Sequence, residues 1–81
     1  MKRYELTPVD GRKSFYNKCY VEVEDDGTEI LYSYTTPIIK CLPDGKLIRL
    51  YDGWTATTGR HIEAFCGLNK QRFFEIETED K

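Results

Sequence analysis

The chain has 81 residues, of which 40 % are hydrophobic and 32 % charged, and its formal net charge is −2. A chain of this length buries only about 60 % of its unfolded surface, so one small core and a single domain are expected. The near-neutral balance excludes a disordered polyelectrolyte and speaks against a dedicated nucleic-acid binder, because phosphate binding draws its affinity from a basic patch.

Residues 1–13 read as a mixed leader. Thr7-Pro8-Val9-Asp10-Gly11 has the Pro and Gly of a loop. A first strand is predicted over 15–24, with Phe15, Cys19, Val21 and Val23 alternating with Tyr16, Lys18, Tyr20, Glu22 and Glu24. Asp25-Asp26-Gly27 is a hairpin signal, since Gly takes positive φ freely. A two-residue turn at Asp26-Gly27 would pair Val23 with Ile30, Val21 with Tyr32 and Cys19 with Tyr34, at the cost of setting Glu24 against Glu29. A three-residue loop would instead set Glu29 against Val23 and Ile30 against Glu22. The first register is preferred because it keeps one apolar face intact.

Pro37 has no N–H to donate, so the second strand must be an edge, bulged or broken near Thr36-Pro37. It divides into segments 29–35 and 38–42. Pro43-Asp44-Gly45 is a tight turn, and a third strand follows over 46–52. A helix is predicted from 57 or 58 to 66. Thr55, Thr57 and Thr58 are its candidate N-caps; Ile62, Phe65 and Cys66, with Thr58 and His61 beside them, form its inner face; and Gly67 is its stop. Asn69 caps a short second helix to about 74. An alternative makes Phe74-Ile76-Thr78 a fourth strand, and the acidic tail 75–81 ends the chain. The fold expected is α+β: a three- to four-stranded antiparallel β-meander over 14–52, packed against one main C-terminal helix within a helical part at 55–74.

Three cysteines, Cys19, Cys41 and Cys66, form neither an even set nor a CxxC pair. Reduced thiols acting as small buried hydrophobes are expected, with no metal and no cofactor. His61 and Cys66, five apart on a helix, point in different directions and are no ligand pair. No apolar run reaches the ~20 residues of a membrane span. The N-terminus also lacks the apolar stretch of a signal peptide, so a cytoplasmic protein is expected.

His61, the only histidine, is the obvious general acid or base. A nucleophile would have to come from Ser33 or Cys41 on the sheet, and a third group would have to orient the imidazole. The simpler expectation is that His61 hydrogen-bonds the sheet and pins the helix to it. Thr57-Thr58-Gly59-Arg60 has too few glycines for a phosphate loop and reads as a helix cap, with Arg60 the best anion-binding candidate. Trp54 reads as a lid on Ile62 and Phe65. The tyrosines at 16, 20, 32, 34 and 51 suit packing or self-association better than base stacking. Asp25-Asp26 and Glu75-Glu77 sit in a turn and a tail, where water is not excluded, so hydrolytic chemistry is not expected there. No catalytic set emerges; the candidate binding residues are Tyr32, Tyr34, Trp54, Thr57, Thr58, Arg60 and His61.

Leu31-Tyr32-Ser33-Tyr34-Thr35-Thr36-Pro37-Ile38 and the stretch from Trp54 through Thr57-Thr58-Gly59-Arg60-His61-Ile62 to Phe65 carry a resemblance. The chain resembles a family of short proteins of unassigned activity from phages and from integrative and conjugative elements of gut Firmicutes. Its motifs are a Ser-Tyr-x-Thr strand and a Ser-x-Thr-Thr-x-x-His-Ile-x-x-Phe helix start, with Thr55 in place of the first Ser. The opening from Tyr4 to Tyr16 is similar to the subgroup found in integrative elements. The resemblance implies an accessory product of a mobile element.

Function then reads as a non-catalytic binding module for a protein partner or for self-association, with an accessory or anti-defence role. One alternative is nucleic-acid binding through converging Arg12, Lys13, Lys18, Arg49 and Arg60. Another is a small enzyme or nucleotide binder using His61 and Arg60.

Overall fold

The computed structural model describes residues 2–6 and 18–78. Five strands form one antiparallel sheet in sequence order: β1 (Lys2–Glu5), β2 (Cys19–Val23), β3 (Glu29–Ser33), β4 (Thr36–Cys41) and β5 (Leu47–Arg49). Two helices follow, α1 (Ala56–Cys66) and α2 (Lys70–Glu75). The class is α+β as expected, but the meander has five strands in place of three to four, because the second predicted strand forms both β3 and β4 and the leader adds β1. That leader strand, Lys2–Glu5, pairs with β2 as Tyr4↔Val21 and Glu5↔Tyr20. Part of the first predicted strand, 15–17, lies outside the described residues, as does the whole of the loop at 7–11.

The β2–β3 register corrects the preferred one. Val23 faces Glu29, Val21 faces Leu31 and Cys19 faces Ser33. The loop holds three residues: Gly27 N–H donates to Glu24 O at 2.9 Å, Glu24 N–H donates to Thr28 O at 2.8 Å, and Gly27 has φ 94°. The Asp26 side chain accepts from Thr28 N–H at 2.9 Å, which stabilises this loop over the tighter one. The β4–β5 loop is built the same way around Gly45, with Lys46 N–H donating to Asp44 Oδ1. A one-residue shift turns every side chain to the opposite face. Leu31 and Ser33 therefore point to the core, while Ile30 and Tyr32 lie on the other face.

What reads as one strand interrupted at Pro37 is a second hairpin. The chain reverses at Tyr34-Thr35, and Ser33 pairs with Thr36. Tyr34 carries φ 60°, a left-handed value that disfavours a side chain. A register shift falls where Leu31 faces Ile39 and Tyr32 faces Pro37, leaving Ile38 as the extra residue. This bulge places Ile38 and Ile39 both in the core, 1 % and 0 % exposed. Pro37 is tolerated because β5 reaches only to Ile39 and needs no donor there. Relieving the strained turn with Tyr34→Gly is expected to stabilise the fold by about 0.5–1 kcal/mol in urea titrations. A loss would show that the Tyr34 ring contributes more than its backbone costs.

The core is Cys19, Val21, Leu31, Ile38, Ile39, Ile62 and Phe73. It lies between one face of the sheet and the two helices. The alternative of a fourth strand at Phe74-Ile76-Thr78 is not formed: α2 takes Phe74, and only a single parallel bridge joins Arg49 to Thr78, with Arg49 N–H donating to Glu77 O. No helix among the described residues is long and apolar enough to cross a membrane.

Candidate functional site

Thr55 supplies the cap of α1. Its hydroxyl oxygen accepts from Thr58 N–H at 3.0 Å and its O–H lies 3.1 Å from Thr58 Oγ1. At the other end Gly67, φ 76°, donates to the carbonyls of Glu63 and Ile62, the expected left-handed stop. Asn69 caps α2 by accepting from Arg72 N–H. With both ends of α1 fixed, Thr58, His61 and Ile62 fall on its buried face, and Phe65 and Cys66 extend that face half-buried.

His61 meets the sheet at Ser33. Nδ1 and Oγ share a hydrogen bond of 2.8 Å, and the two residues are 1 % and 4 % exposed. Two polar groups enter the core as a matched pair, which avoids leaving either one unsatisfied. Loss of hydration, reinforced by the charge of Arg60, holds the imidazole down to about pKa 4, so it is neutral at pH 7. The Tyr34 ring stands 6.3 Å from the imidazole and is itself 51 % exposed. From sequence, Ser33 is a conceivable nucleophile and one member of the polar run 32–36 that could meet the His61 stretch. Its structural role was hidden because the chosen register turned it away from the core. The repeated Asp-Gly pattern of the two loops, at Asp26-Gly27 and Asp44-Gly45, was the available signal.

Trp54 packs against the core cluster that holds Ile62, with Phe65 also packed against that cluster. Its ring contact is with Phe73, centroids 5.6 Å apart, and its indole lies against Gly59. A Cβ at Gly59 would stand 2.6 Å from Trp54 Cζ2, so the glycine in the helix start is a seat for the indole. Trp54, Gly59, Arg60, Glu63 and Leu68 line a shallow groove of about 300 Å³. Glu63 shares that groove with Arg60, which weakens it as an anion site.

The seven predicted binding residues therefore do not converge. Tyr34 and His61 meet, with Thr58 one turn before His61 on the same helix face. Trp54 and Arg60 line the groove, and Thr57 is half-buried in the first turn of α1. Tyr32 is on the opposite face of the sheet, stacked on Tyr20 at 5.1 Å and 6°. The Arg3 guanidinium lies 4.5 Å from the centre of the Tyr20 ring and pairs with Glu22 at 3.2 Å. Of the basic residues, Arg12 and Lys13 lie outside the described residues, Lys18 stands 5.8 Å from the centre of the Tyr34 ring, Arg60 lines the groove, and Arg49 is bound to Asp52 and stacks over Phe73 and Phe74.

Burial pushes the Cys19 thiol up to about 12 and raises those of Cys41 and Cys66 as well. All three are free cysteines, protonated at neutral pH. Among the described residues no group of three or more His, Cys, Asp or Glu is placed to hold a metal ion.

The site thus defines a small α+β domain whose polar centre is a helix-to-sheet pin. The chain belongs to a family of unknown function, DUF8033, whose model matches residues 4–79. No curated protein and no solved structure matches it.

Proposed function

We propose that this protein is a non-catalytic binding module that engages a protein partner, as an accessory product of a mobile element. The observation that carries this reading is the burial of the Ser33–His61 pair. The one imidazole of the chain is 1 % exposed, so a substrate has no route to it, and its depressed pKa suits a neutral structural group. The mobile-element origin rests on the motif resemblance, and the accessory or anti-defence role follows from that origin by association alone.

The sheet face opposite the helices is the favoured contact surface. Arg3, Tyr20, Glu22, Ile30, Tyr32, Lys40 and Ile48 follow one another across it by register. Tyr and Arg are the residue types that anchor protein interfaces. The mixture of Arg3 and Lys40 with Glu22 suits a protein surface better than a phosphate backbone.

The test is capture of partners from host lysate with the wild-type chain, Tyr32→Ala and Ser33→Ala, alongside a gel shift with a labelled single-stranded oligonucleotide at low salt. A partner retained by wild type and lost with Tyr32→Ala, with no shift, is the expected result. Oligonucleotide binding that weakens with salt, or turnover by the folded protein that depends on His61, would overturn the proposal.

A further inference from the structure

Four Asp-Gly dipeptides punctuate the chain, at 10–11, 26–27, 44–45 and 52–53. Glycine in second place leaves its backbone nitrogen open to the aspartate side chain, because no Cβ stands in the way. Such a pair can rearrange without an enzyme. The glycine nitrogen attacks Cγ of the protonated carboxyl group, the C–OH bond breaks, and the hydroxyl leaves with the amide proton as water. A water molecule then opens the five-membered imide at either carbonyl. One opening restores aspartate; the other gives isoaspartate, with the backbone routed through the former side chain. The fold decides how readily nitrogen and carboxyl meet.

Two of the pairs are held on both sides. Gly27 N–H donates to Glu24 O at 2.9 Å, and the Asp26 carboxylate accepts from Thr28 N–H at 2.9 Å. Gly45 N–H donates to Leu42 O at 2.8 Å, and the Asp44 carboxylate accepts from Lys46 N–H at 3.0 Å. In each loop the attacking nitrogen is engaged and the carboxyl is bound to the next amide along, so the loop must open before the two can react. The same bonds hold the Asp26 carboxyl below its usual range, which makes the reactive protonated form scarcer there.

Asp52-Gly53 is built otherwise. It lies in the link between β5 and α1, and among the described residues no acceptor meets the Gly53 N–H. The Asp52 side chain is 93 % exposed and bonds Arg49 Nη1 at 2.8 Å. With so exposed a carboxylate that ion pair is screened by water and restrains the side chain weakly. Asp10-Gly11 lies outside the described residues.

We propose that Asp52-Gly53 is a site of spontaneous isoaspartate formation in the folded chain, selected over Asp26-Gly27 and Asp44-Gly45 because its glycine amide is not engaged. The rearrangement adds a methylene to the backbone between β5 and Trp54 and shortens the side chain that meets Arg49. This chemistry is independent of the binding role proposed above.

Ageing the full chain at neutral pH and physiological temperature, in buffer and in unfolding guanidinium chloride, tests it. The mass does not change, so isoaspartate is read by labelling with an isoaspartyl methyltransferase and by peptide mapping with electron-transfer fragmentation. In buffer, isoaspartate is expected at 52 about tenfold or more faster than at 26 or 44, the ratio that two additional hydrogen bonds can impose. In denaturant those bonds are gone, and the three rates should draw together, since each aspartate precedes glycine. Asp52→Glu, which would have to close a larger ring, should remove the product at 52 while thermal melts confirm its fold. A folded chain in which 52 is as protected as 26 and 44 overturns the proposal. An undiminished preference for 52 in denaturant overturns it too, because neighbouring residues rather than the fold would then set the rate.

Discussion

His61→Ala is expected to remove about 3 kcal/mol of stability, enough to unfold a large part of the population of so small a domain. Two losses combine in that figure. The buried ring leaves a cavity, and Ser33 Oγ loses its 2.8 Å partner where water does not reach. Ser33→Ala should cost less, about 1–3 kcal/mol, by stranding the imidazole nitrogen. Replacing both, as Ser33→Ala with His61→Leu, should recover part of the loss, because neither member of the pair is then left without the other. Urea denaturation followed by circular dichroism measures all of these. A His61→Ala protein with unchanged stability would end the pinning argument.

The same pair sets an acid limit. In the unfolded chain His61 titrates near its ordinary 6.5; in the fold it is held at about 4. Between those values the unfolded state binds more protons, so stability falls as pH falls, by up to about 1.4 kcal/mol per pH unit. The contribution is intact above about 6.5 and gone below about 4. Asp26, whose carboxyl is held below its usual range by its hydrogen bonds with Thr28, acts lower still, losing its contribution as pH falls through that depressed value. The difference between wild type and His61→Leu across pH 6.5–4 isolates the imidazole. A flat difference would mean that the ring is hydrated in the fold.

The helical half was legible in the sequence and much of the sheet was not. Thr55, Gly67 and Asn69 act through hydrogen bonds within one or two turns, so the residues that decide the outcome lie side by side in the chain. The register of β2 on β3 depends on which of two hairpin loops is more stable. The apolar pattern pointed the wrong way, since Ser33 stands on the buried face and Ile30 and Tyr32 on the other. A polar residue in the core breaks alternation, and its partner, His61, is 28 positions away. The reversal at Tyr34-Thr35 was masked for a related reason: neither residue is the Gly or Asn that normally announces positive φ. Long-range pairing chose a conformation that local preference disfavours. The strand at Lys2–Glu5 was missed because its four residues carry no buried side, so no apolar period marked them.

Gly59→Ala should reverse the usual effect of that substitution. In a helix interior Ala is favoured over Gly by about 1 kcal/mol. Here the added methyl would meet Trp54 Cζ2 at 2.6 Å and Cε2 at 2.9 Å, distances no Cβ tolerates. The indole must move, and its contact with Phe73, wholly buried at the centre of the core, goes with it. Overpacking of this kind costs about 1–3 kcal/mol, so a net loss is expected. The sign should invert once the ring is absent: on a Trp54→Ala background, itself destabilised, Gly59→Ala should stabilise by about 0.5–1 kcal/mol. Because Trp54 is the only tryptophan, its fluorescence reports the displacement directly, and a red-shifted emission should accompany the loss in Gly59→Ala. A stabilised Gly59→Ala protein with unshifted emission would show that the indole does not rest on the helix at this glycine. Aromatic packing therefore selects the smallest side chain here, against helix propensity, because the ring joins the start of α1 to Phe73 of α2.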